Sequence, residues 1–315
     1  MFVARCIGIS LALFLLLYVP SSLAVSRGWG PLLRVFEPRT ARGSASLLFG
    51  LRVLPFVLAS VFTLVFTLPS FLLLEPRATD EAIGTVPLTL GLCCLVLLVA
   101  GIVQAALAQM RTSRALMKWL DGSMVMDSEA TVPVFRTVTG APSLTVAGVR
   151  EPKVLVSEAV IAALTAAELR TALRHEMAHA QSYDNLKKLL FRFSAFPGMA
   201  GLERAWAEQT ELAADDAAVS CPRDALDLAG ALIKVSRLSA PQPQAALSTG
   251  LLHSSTALGT RVQRLVSWEK NPAAATGARY RPYALPSLGG ALFVVVASYG
   301  SALAGLHQIT EWMVR

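Results

Sequence analysis

The sequence predicts an α-helical membrane protein with four transmembrane helices and one α+β domain between the third and the fourth. Three observations support this fold class. Hydrophobic residues make up 54% of the chain and charged residues only 16%, which is too apolar for an ordinary soluble domain. The apolar residues collect in four long runs that hold almost no charge. The segment between the third and fourth runs has mixed composition, with strand patterns followed by helix patterns.

The four apolar runs are each long enough to cross a bilayer as a helix. They cover residues 6–25, 47–74, 83–108 and 284–306. Pro55 and Pro69 lie inside the second run, where a missing backbone donor is expected to kink the helix. The predicted domains are three transmembrane helices within residues 1–110, a soluble domain at 111–283, and a fourth transmembrane helix with a short external tail at 284–315.

The first run has two interpretations. Ser22-Leu23-Ala24 resembles a signal-peptide cleavage site, whereas the whole run also fits a transmembrane helix. The next loop, residues 26–46, holds four arginines and one acid, and an excess of basic residues marks the cytoplasmic side. An uncleaved helix puts that loop inside, whereas a cleaved signal leaves it outside. We therefore expect an uncleaved helix with an external N-terminus.

Basic residues orient the other runs in the same way. Arg111, Arg114 and Lys118 follow the third run and predict that residues 111–283 face the cytoplasm. The lipid bilayer is then a direct partner, and the net charge of +7 reflects topology. Because no basic cluster is interleaved with aromatic residues, we expect no direct nucleic acid partner. The four cysteines lack metal-site spacing and predict no disulfide framework.

The soluble domain shows short strand patterns and then longer helical ones. The predicted strands are 132–138, 143–149 and 154–157, and the predicted helices are 165–183, 186–196, 205–219, 224–238 and 256–268. The segment from Lys153 to Ser157 is either an edge strand to which an extended peptide adds or an internal strand.

The segment 175–179 is His-Glu-Met-Ala-His, and its surroundings predict that it is helical. Thr165 and Glu168 have the spacing of a capping box, which closes a helix N-terminus. No proline or glycine follows before Pro197 and Gly198. A packed or solvated histidine pair is the alternative, but the chain has only 4 histidines, so we interpret the segment as a metal motif.

Two histidines four residues apart on a helix point in the same direction. His175 and His179 can therefore bind one metal ion, and zinc is the usual choice, with one Zn²⁺ expected per chain. Glu176, beside the first histidine, can take a proton from a water that attacks a peptide carbonyl. Together the three residues predict zinc-assisted hydrolysis.

A catalytic zinc ordinarily takes three protein ligands, so a third is expected outside the motif. Glu211 and Asp215 lie four residues apart on a later helix and share a face. Glu211 can be the ligand while Asp215 accepts the spare N–H of a ligand histidine. Glu208, one turn earlier, is the rival ligand. A helix with all of its acids in solvent is the alternative to both.

Several short segments carry a family resemblance. They are the motif at 175–179, Asp184-Asn185, Trp206, Glu211-Leu-Ala-Ala-Asp215, Val154 to Glu158, and Arg-Val-Gln-Arg-Leu at 261–265. With the number and order of the spans, they resemble the M56 family of membrane metallopeptidases, the BlaR/MecR-type antibiotic-sensor group. The resemblance covers roughly residues 1–306. It implies a gluzincin-like zinc peptidase domain between the third and fourth spans, facing the cytoplasm.

The resemblance also implies roles and partners. By it, Glu176 is the general base, Asp215 supports a ligand histidine, and the zinc ligands are His175, His179 and Glu211. It implies an endopeptidase of the bacterial cytoplasmic membrane that cuts a cytoplasmic or juxtamembrane protein, with a BlaI/MecI-like transcriptional repressor as the substrate class. An M48-like quality-control peptidase and a non-catalytic signalling protein on a peptidase fold are the alternatives.

Two points qualify the family expectation. The BlaR/MecR-type receptors carry a penicillin-binding sensor domain after the fourth span, whereas this sequence ends at Arg315, so we expect no β-lactam sensing of that kind. His253 is a candidate donor to the developing oxyanion, although a surface or core histidine is the commoner case.

Overall fold

The computed structural model shows a mostly helical chain with one small mixed sheet. It describes residues 2–36, 38–74, 84–126, 132–137, 143–238, 248–250, 255–268, 299–305 and 308. Three helical stretches are long and apolar enough to cross a membrane, namely Phe2–Phe36, Ala41–Leu74 and Thr85–Leu120. The first two contain the predicted runs 6–25 and 47–74, and the third covers residues 85–108 of the run predicted at 83–108 and continues to Leu120.

The described elements follow one another in a simple order. They are α1 (Phe2–Phe36), α2 (Ala41–Phe62), a π-helical turn (Thr63–Thr67), α3 (Leu68–Leu74), α4 (Thr85–Leu120), β1 (Met124–Met126), β2 (Val134–Thr137), β3 (Leu144–Ala147), β4 (Lys153–Ser157), α5 (Glu158–Ala163), α6 (Ala166–Gln181), α7 (Asp184–Phe193), α8 (Ala200–Ala218), α9 (Pro222–Leu238), β5 (Ser248–Gly250) and α10 (Ser255–Val266).

The chain divides into two compact units. The span unit comprises Met1–Trp29, Leu51–Ala100 and Ala275–Arg315, and the α+β unit comprises Gly30–Gly50 and Gly101–Ala274. The α+β unit is therefore larger than the predicted soluble domain at 111–283, because the ends of three long helices belong to it.

The span unit presents apolar side chains outward and brings backbones together at glycine. Leu88, Leu92 and Val96 lie on one face of α4 at helical spacing and are exposed, as lipid-facing residues are. A Cβ added at Gly91 would lie 2.8 Å from the backbone oxygen of Gly8. Helices in membranes pack closely through such small residues, so this contact fixes where α1 and α4 meet.

The second span is interrupted where proline removes a backbone donor. Pro69 has no N–H, so the carbonyl of Val65, four residues earlier, loses its ordinary α-helical donor. The π-helical turn lies directly before this point. The hydroxyl of Tyr299 donates to the Val65 carbonyl at 2.7 Å, and the hydroxyl of Ser70 donates to the carbonyl of Leu303 at 3.1 Å. These bonds join the second span to a later segment.

That later segment belongs to the fourth predicted run. Residues 299–305 are helical, whereas residues 284–298 and 306 of the run lie outside the described residues. Four spans therefore remain an expectation, and the structure describes three helices that are long and apolar enough to cross a membrane.

The sheet of the α+β unit has the order β1-β2-β4-β3-β5. Strands β2 and β4 are parallel, and the other neighbours are antiparallel. Strand β4 lies between β2 and β3, with Leu155 opposite Phe135 on one side and Thr145 on the other. Its backbone is thus paired on both sides, so the interpretation as an internal strand is confirmed and the edge alternative is wrong.

Helix α6 lies against β3 on one side and against α8 and α9 on others. Valines of the strands, such as Val146 and Val156, pack with Ala172 of α6 and Leu228 of α9 in a buried apolar core. Burial of this kind contributes about 25 cal/mol per Å² of apolar surface. The core thereby fixes α6 on the sheet, and the remaining buried face of the helix is available for polar residues.

Candidate metal centre

Helix α6 carries the His-Glu-Met-Ala-His segment and starts at the predicted capping box. The Thr165 hydroxyl accepts from the Glu168 backbone N–H at 3.3 Å, and Glu168 Oε2 accepts from the Thr165 backbone N–H at 2.8 Å. The capping box is confirmed. Both histidines of the segment are buried, and their Nε2 atoms lie 3.2 Å apart. The spacing of four residues thus brings His175 and His179 together, as the helix requires.

A third buried ligand atom comes from α8. Glu211 Oε2 lies 3.6 Å from His175 Nε2, and Glu211 Oε1 lies 3.6 Å from His179 Nε2. One ligand atom from each residue lies within 4.8 Å of the others. Around a tetrahedral ion with bonds of about 2.0–2.1 Å, neighbouring ligand atoms are about 3.3–3.4 Å apart. The donor set and its spacing fit a metal, and this buried group can hold one.

The other nitrogen of each histidine faces a carboxylate. His175 Nδ1 lies 3.0 Å from Asp215 Oδ1, and His179 Nδ1 lies 2.7 Å from Asp184 Oδ2. A carboxylate that accepts the Nδ1–H of a neutral imidazole leaves the lone pair on Nε2. Both Nε2 atoms are therefore presented to the space between the two rings and Glu211.

A buried arginine holds the acids of α8 in place. Arg261 of α10 donates to Asp215 through Nε at 2.8 Å and through Nη2 at 2.7 Å, and its Nη1 donates to Glu211 Oε2 at 2.8 Å. Burial alone would raise the pKa of both acids, but His175, His179 and Arg261 hold the pKa of Glu211 well below its usual range. The pKa of Asp215 is lowered for the same kind of reason. Both acids are thus anionic acceptors.

The protonation of the first histidine follows from its neighbours. Burial lowers the pKa of His175, but Asp215 and Glu211 together raise it to about 9. In the metal-free chain a proton on this ring therefore balances part of the negative charge of the two acids. A metal cation would take over that balancing charge when it binds, since it needs the neutral imidazole.

Glu176 is fully buried next to this cluster, and it differs from the other acids. Neither of its carboxylate oxygens makes a hydrogen bond of ordinary geometry within the described part of the chain. Burial raises its pKa, and the nearby histidines and the backbone N–H of Val146 only partly oppose this. The raised pKa increases the affinity of this carboxylate for a proton.

One further cation lies near the acids. Lys188 of α7 is half-buried, and the charges of Glu211, Asp184 and Glu176 raise its pKa, but burial outweighs them and lowers it to about 8. The side chain adds positive charge close to the cluster.

Three further residues singled out from the sequence are Glu208, Trp206 and His253. Glu208 is exposed and is not part of the cluster. Trp206 is buried, with its ring packed edge-on against Phe191 at 4.9 Å. His253 lies outside the described residues.

Sequence reasoning cited Asp184 and Arg261 only as parts of a family pattern, and it missed Lys188. The position of Asp184 five residues after His179 was a signal for the acceptor role, since it follows directly on the end of the motif helix. No local signal ties Arg261 to the acids of α8, which precede it by 46 and 50 positions. Comparison of the chain with protein-family models and with curated proteins finds no match.

Proposed function

We propose that the chain is an integral-membrane zinc endopeptidase of the M56 type, with four spans and a gluzincin-like fold around α6 and α8. The buried His175, His179 and Glu211 support a zinc site because two nitrogen donors and one carboxylate, with their ligand atoms within 4.8 Å of one another, suit that metal. The observation that carries the proposal is the buried carboxylate of Glu176 beside these ligands, which makes no hydrogen bond of ordinary geometry among the described residues.

The chemistry assigns each side chain a task. Zinc, when bound, supplies a Lewis acid that polarises a carbonyl and makes water more acidic. Glu176 takes a proton from the attacking water and returns it to the leaving amine, so the peptide bond is hydrolysed without net proton loss. Asp215 and Asp184 hold the histidine rings in one orientation, and Arg261 holds the ligand-bearing helix. Lys188 adds positive charge near the developing oxyanion.

The proposed substrate is a cytoplasmic or juxtamembrane protein, with a BlaI/MecI-like repressor as the class implied by the family resemblance. This assignment requires the α+β unit to face the cytoplasm of a bacterial inner membrane. The basic residues after α4 and between α1 and α2 support that orientation.

One variant should keep metal binding and lose proteolysis. Glu176→Gln is expected to keep close to one zinc per chain and to lose proteolysis by at least about 10²–10⁴-fold, the usual contribution of a general base. Metal analysis of the purified chain and cleavage of a mixed fluorogenic peptide library measure the two effects. Glu208→Gln, an exposed glutamate outside the cluster, is the matched control. A parent chain that binds zinc but cuts no peptide or protein would favour a non-catalytic role.

The topology has its own test. Reporter fusions after residue 120 are expected to behave as cytoplasmic and fusions after Glu81 as external, because basic residues flank the former position. The opposite pattern would place the zinc site outside the cell and would exclude a cytoplasmic repressor as substrate.

A further inference from the structure

A cavity of about 320 Å³ lies within the α+β unit beside the histidine cluster. Its walls come from the first turns of α2, the end of α6, the start of α7 and the middle of α8. The polar lining residues are Arg42, Ser46, Gln181, Ser182, Tyr183, Asp184, Lys187 and Thr210. The volume is at the lower end of the roughly 300–1,000 Å³ of ordinary small-ligand pockets.

Two cations, one carboxylate and five neutral polar residues line this cavity. Arg42 is exposed, and it makes no ion pair with any residue that the structure describes. Lys187 lies 3.2 Å from Asp184 Oδ1 and 5.7 Å from the ring centre of Phe49. Asp184 is the one carboxylate of the described lining, and its other oxygen is engaged by His179. The balance of charge favours an anion.

The neutral groups suit an oxygen-rich anion. The side chains of Ser46, Gln181 and Ser182 make no hydrogen bond within the described residues. Hydroxyl and amide N–H donors next to an arginine and a lysine form the donor set that recognises phosphate. A single carboxylate ligand would use fewer of these donors.

The position of the cavity along α2 indicates where such a phosphate comes from. The helical stretch Ala41–Leu74 has 34 residues and is about 51 Å long at 1.5 Å per residue. The hydrocarbon core of a bilayer is only about 30 Å thick, so about 20 Å of this stretch lies outside it. Arg42 precedes Leu47, where the apolar run begins, by five residues, or about 8 Å. That is the depth of lipid headgroups.

We propose that this cavity binds the phosphate of an anionic phospholipid headgroup, with Arg42 and Lys187 as the charged contacts. Basic pockets at the cytoplasmic ends of transmembrane helices are suited to such headgroups. Because Lys187 also pairs with Asp184, the headgroup shares a cation with the carboxylate that orients His179. Lipid composition is thereby linked to the candidate metal centre. The binding site itself does not depend on the proposed peptidase activity.

The test uses the full chain in neutral detergent. Phosphatidylglycerol, phosphatidylcholine and inorganic phosphate are titrated separately, and bound lipid or phosphate is counted by native mass spectrometry. The chain is expected to retain phosphatidylglycerol in preference to phosphatidylcholine. One basic residue near an anionic surface is worth about a fivefold change in affinity, so Arg42→Gln with Lys187→Gln should weaken retention by about 30-fold.

A matched control removes the same charge elsewhere. Arg170 and Arg223 are exposed residues of α6 and α9 that do not line the cavity. The double variant Arg170→Gln with Arg223→Gln should therefore retain phosphatidylglycerol as the parent does. Equal weakening in both double variants would overturn the proposal, because it would show only a general charge effect. Inorganic phosphate that binds as tightly as the lipid and displaces it would overturn the lipid source and leave a soluble phosphate as the ligand.

Discussion

Helix α6 buries two glutamates in opposite environments. Glu168, at the N-terminus, accepts from the Thr165 backbone N–H at 2.8 Å and from Lys234 Nζ at 2.7 Å. Glu176, eight residues later, has no hydrogen-bond partner of ordinary geometry among the described residues. Burial raises the pKa of both, but Lys234 and Thr165 reverse the effect at Glu168 and leave its pKa below the usual value, whereas the pKa of Glu176 stays raised.

The difference between Glu168 and Glu176 shows that one helix can carry one glutamate that stabilises the fold and another whose proton affinity is raised. A carboxylate with two donors, as at Glu168, stabilises the helix start and the packing of α9. A buried carboxylate without a hydrogen bond of ordinary geometry, as at Glu176, weakens the fold, since burying a poorly compensated charge is costly. Such a residue is retained where its proton affinity has a use. On this comparison Glu168 is structural, and Glu176 is the residue to which we assign the general base of the proposed reaction.

The largest expected effect is the loss of zinc when a candidate ligand is replaced. One of these ligands, Glu211, is a third buried glutamate and extends the comparison of Glu168 with Glu176. Glu211 has a donor in Arg261 and also faces both histidines. We expect Glu211→Ala, like His175→Ala and His179→Ala, to be nearly metal-free and inactive, because each removes one of three donors. Zinc titration of the purified variants measures this. Glu208→Ala is the control and should bind zinc as the parent does; loss of its metal would reverse the ligand assignment.

A smaller effect is expected from the carboxylates behind the histidines. Asp215→Ala and Asp184→Ala should each weaken zinc affinity or activity by about 10–100-fold, since they orient a ligand without binding the metal. Each aspartate also forms an ion pair, Asp215 with Arg261 and Asp184 with Lys187. Each variant therefore removes one cation contact as well as one contact to a histidine. Competition with a chelating dye measures the affinities. If either variant lost zinc as completely as a histidine variant, that aspartate would have to bind the metal directly.

The smallest effect concerns stability and its dependence on pH. Glu168→Gln should lower the free energy of unfolding by about 1 kcal/mol near pH 7, discounted for the exposed Lys234. The folded-state pKa of Glu168 lies below the unfolded value of about 4.3. Its contribution is therefore complete above that value and disappears as the pH falls through the folded-state pKa. Thermal unfolding of the full chain in detergent should show the two curves converging in acid.

Thermal unfolding of the full chain also distinguishes the stability effect of Glu176 from that of Glu168. Glu176→Gln should unfold no earlier than the parent at pH 7, because it replaces a buried carboxylate that lacks a hydrogen bond of ordinary geometry by a neutral group. A loss of stability equal to that of Glu168→Gln would mean that Glu176 has a structural partner, and the comparison would fail.

The site was predictable from the sequence where its geometry is local. The capping box of Thr165 and Glu168 fixed the start of α6, and the period of the helix then placed His175 and His179 together. The four-residue spacing of Glu211 and Asp215 correctly put both on one buried face of α8. Each of these inferences uses residues no more than four positions apart.

Longer-range features could not be predicted in this way. Asp184 reaches His179 because Tyr183 takes a left-handed conformation, with φ of 55°, which is uncommon for a residue other than glycine. Arg261 meets the acids of α8 only through packing of α10. Strands β1 and β5 have three residues each, which is too short to show an alternating pattern, and their pairing depends on neighbouring strands.

The hydrogen bond from Tyr299 to the carbonyl of Val65 has a consequence for biosynthesis. The two residues are 234 positions apart, and ribosomes add roughly 5–20 residues per second. The second span therefore leaves the ribosome roughly 10–50 s before the hydroxyl that completes its interrupted turn has been synthesised. During that interval the earlier apolar helices can enter the bilayer before this carbonyl receives the Tyr299 hydroxyl. The bond that joins the second span to residues 299–305 therefore forms late, and a chain released early would lack it.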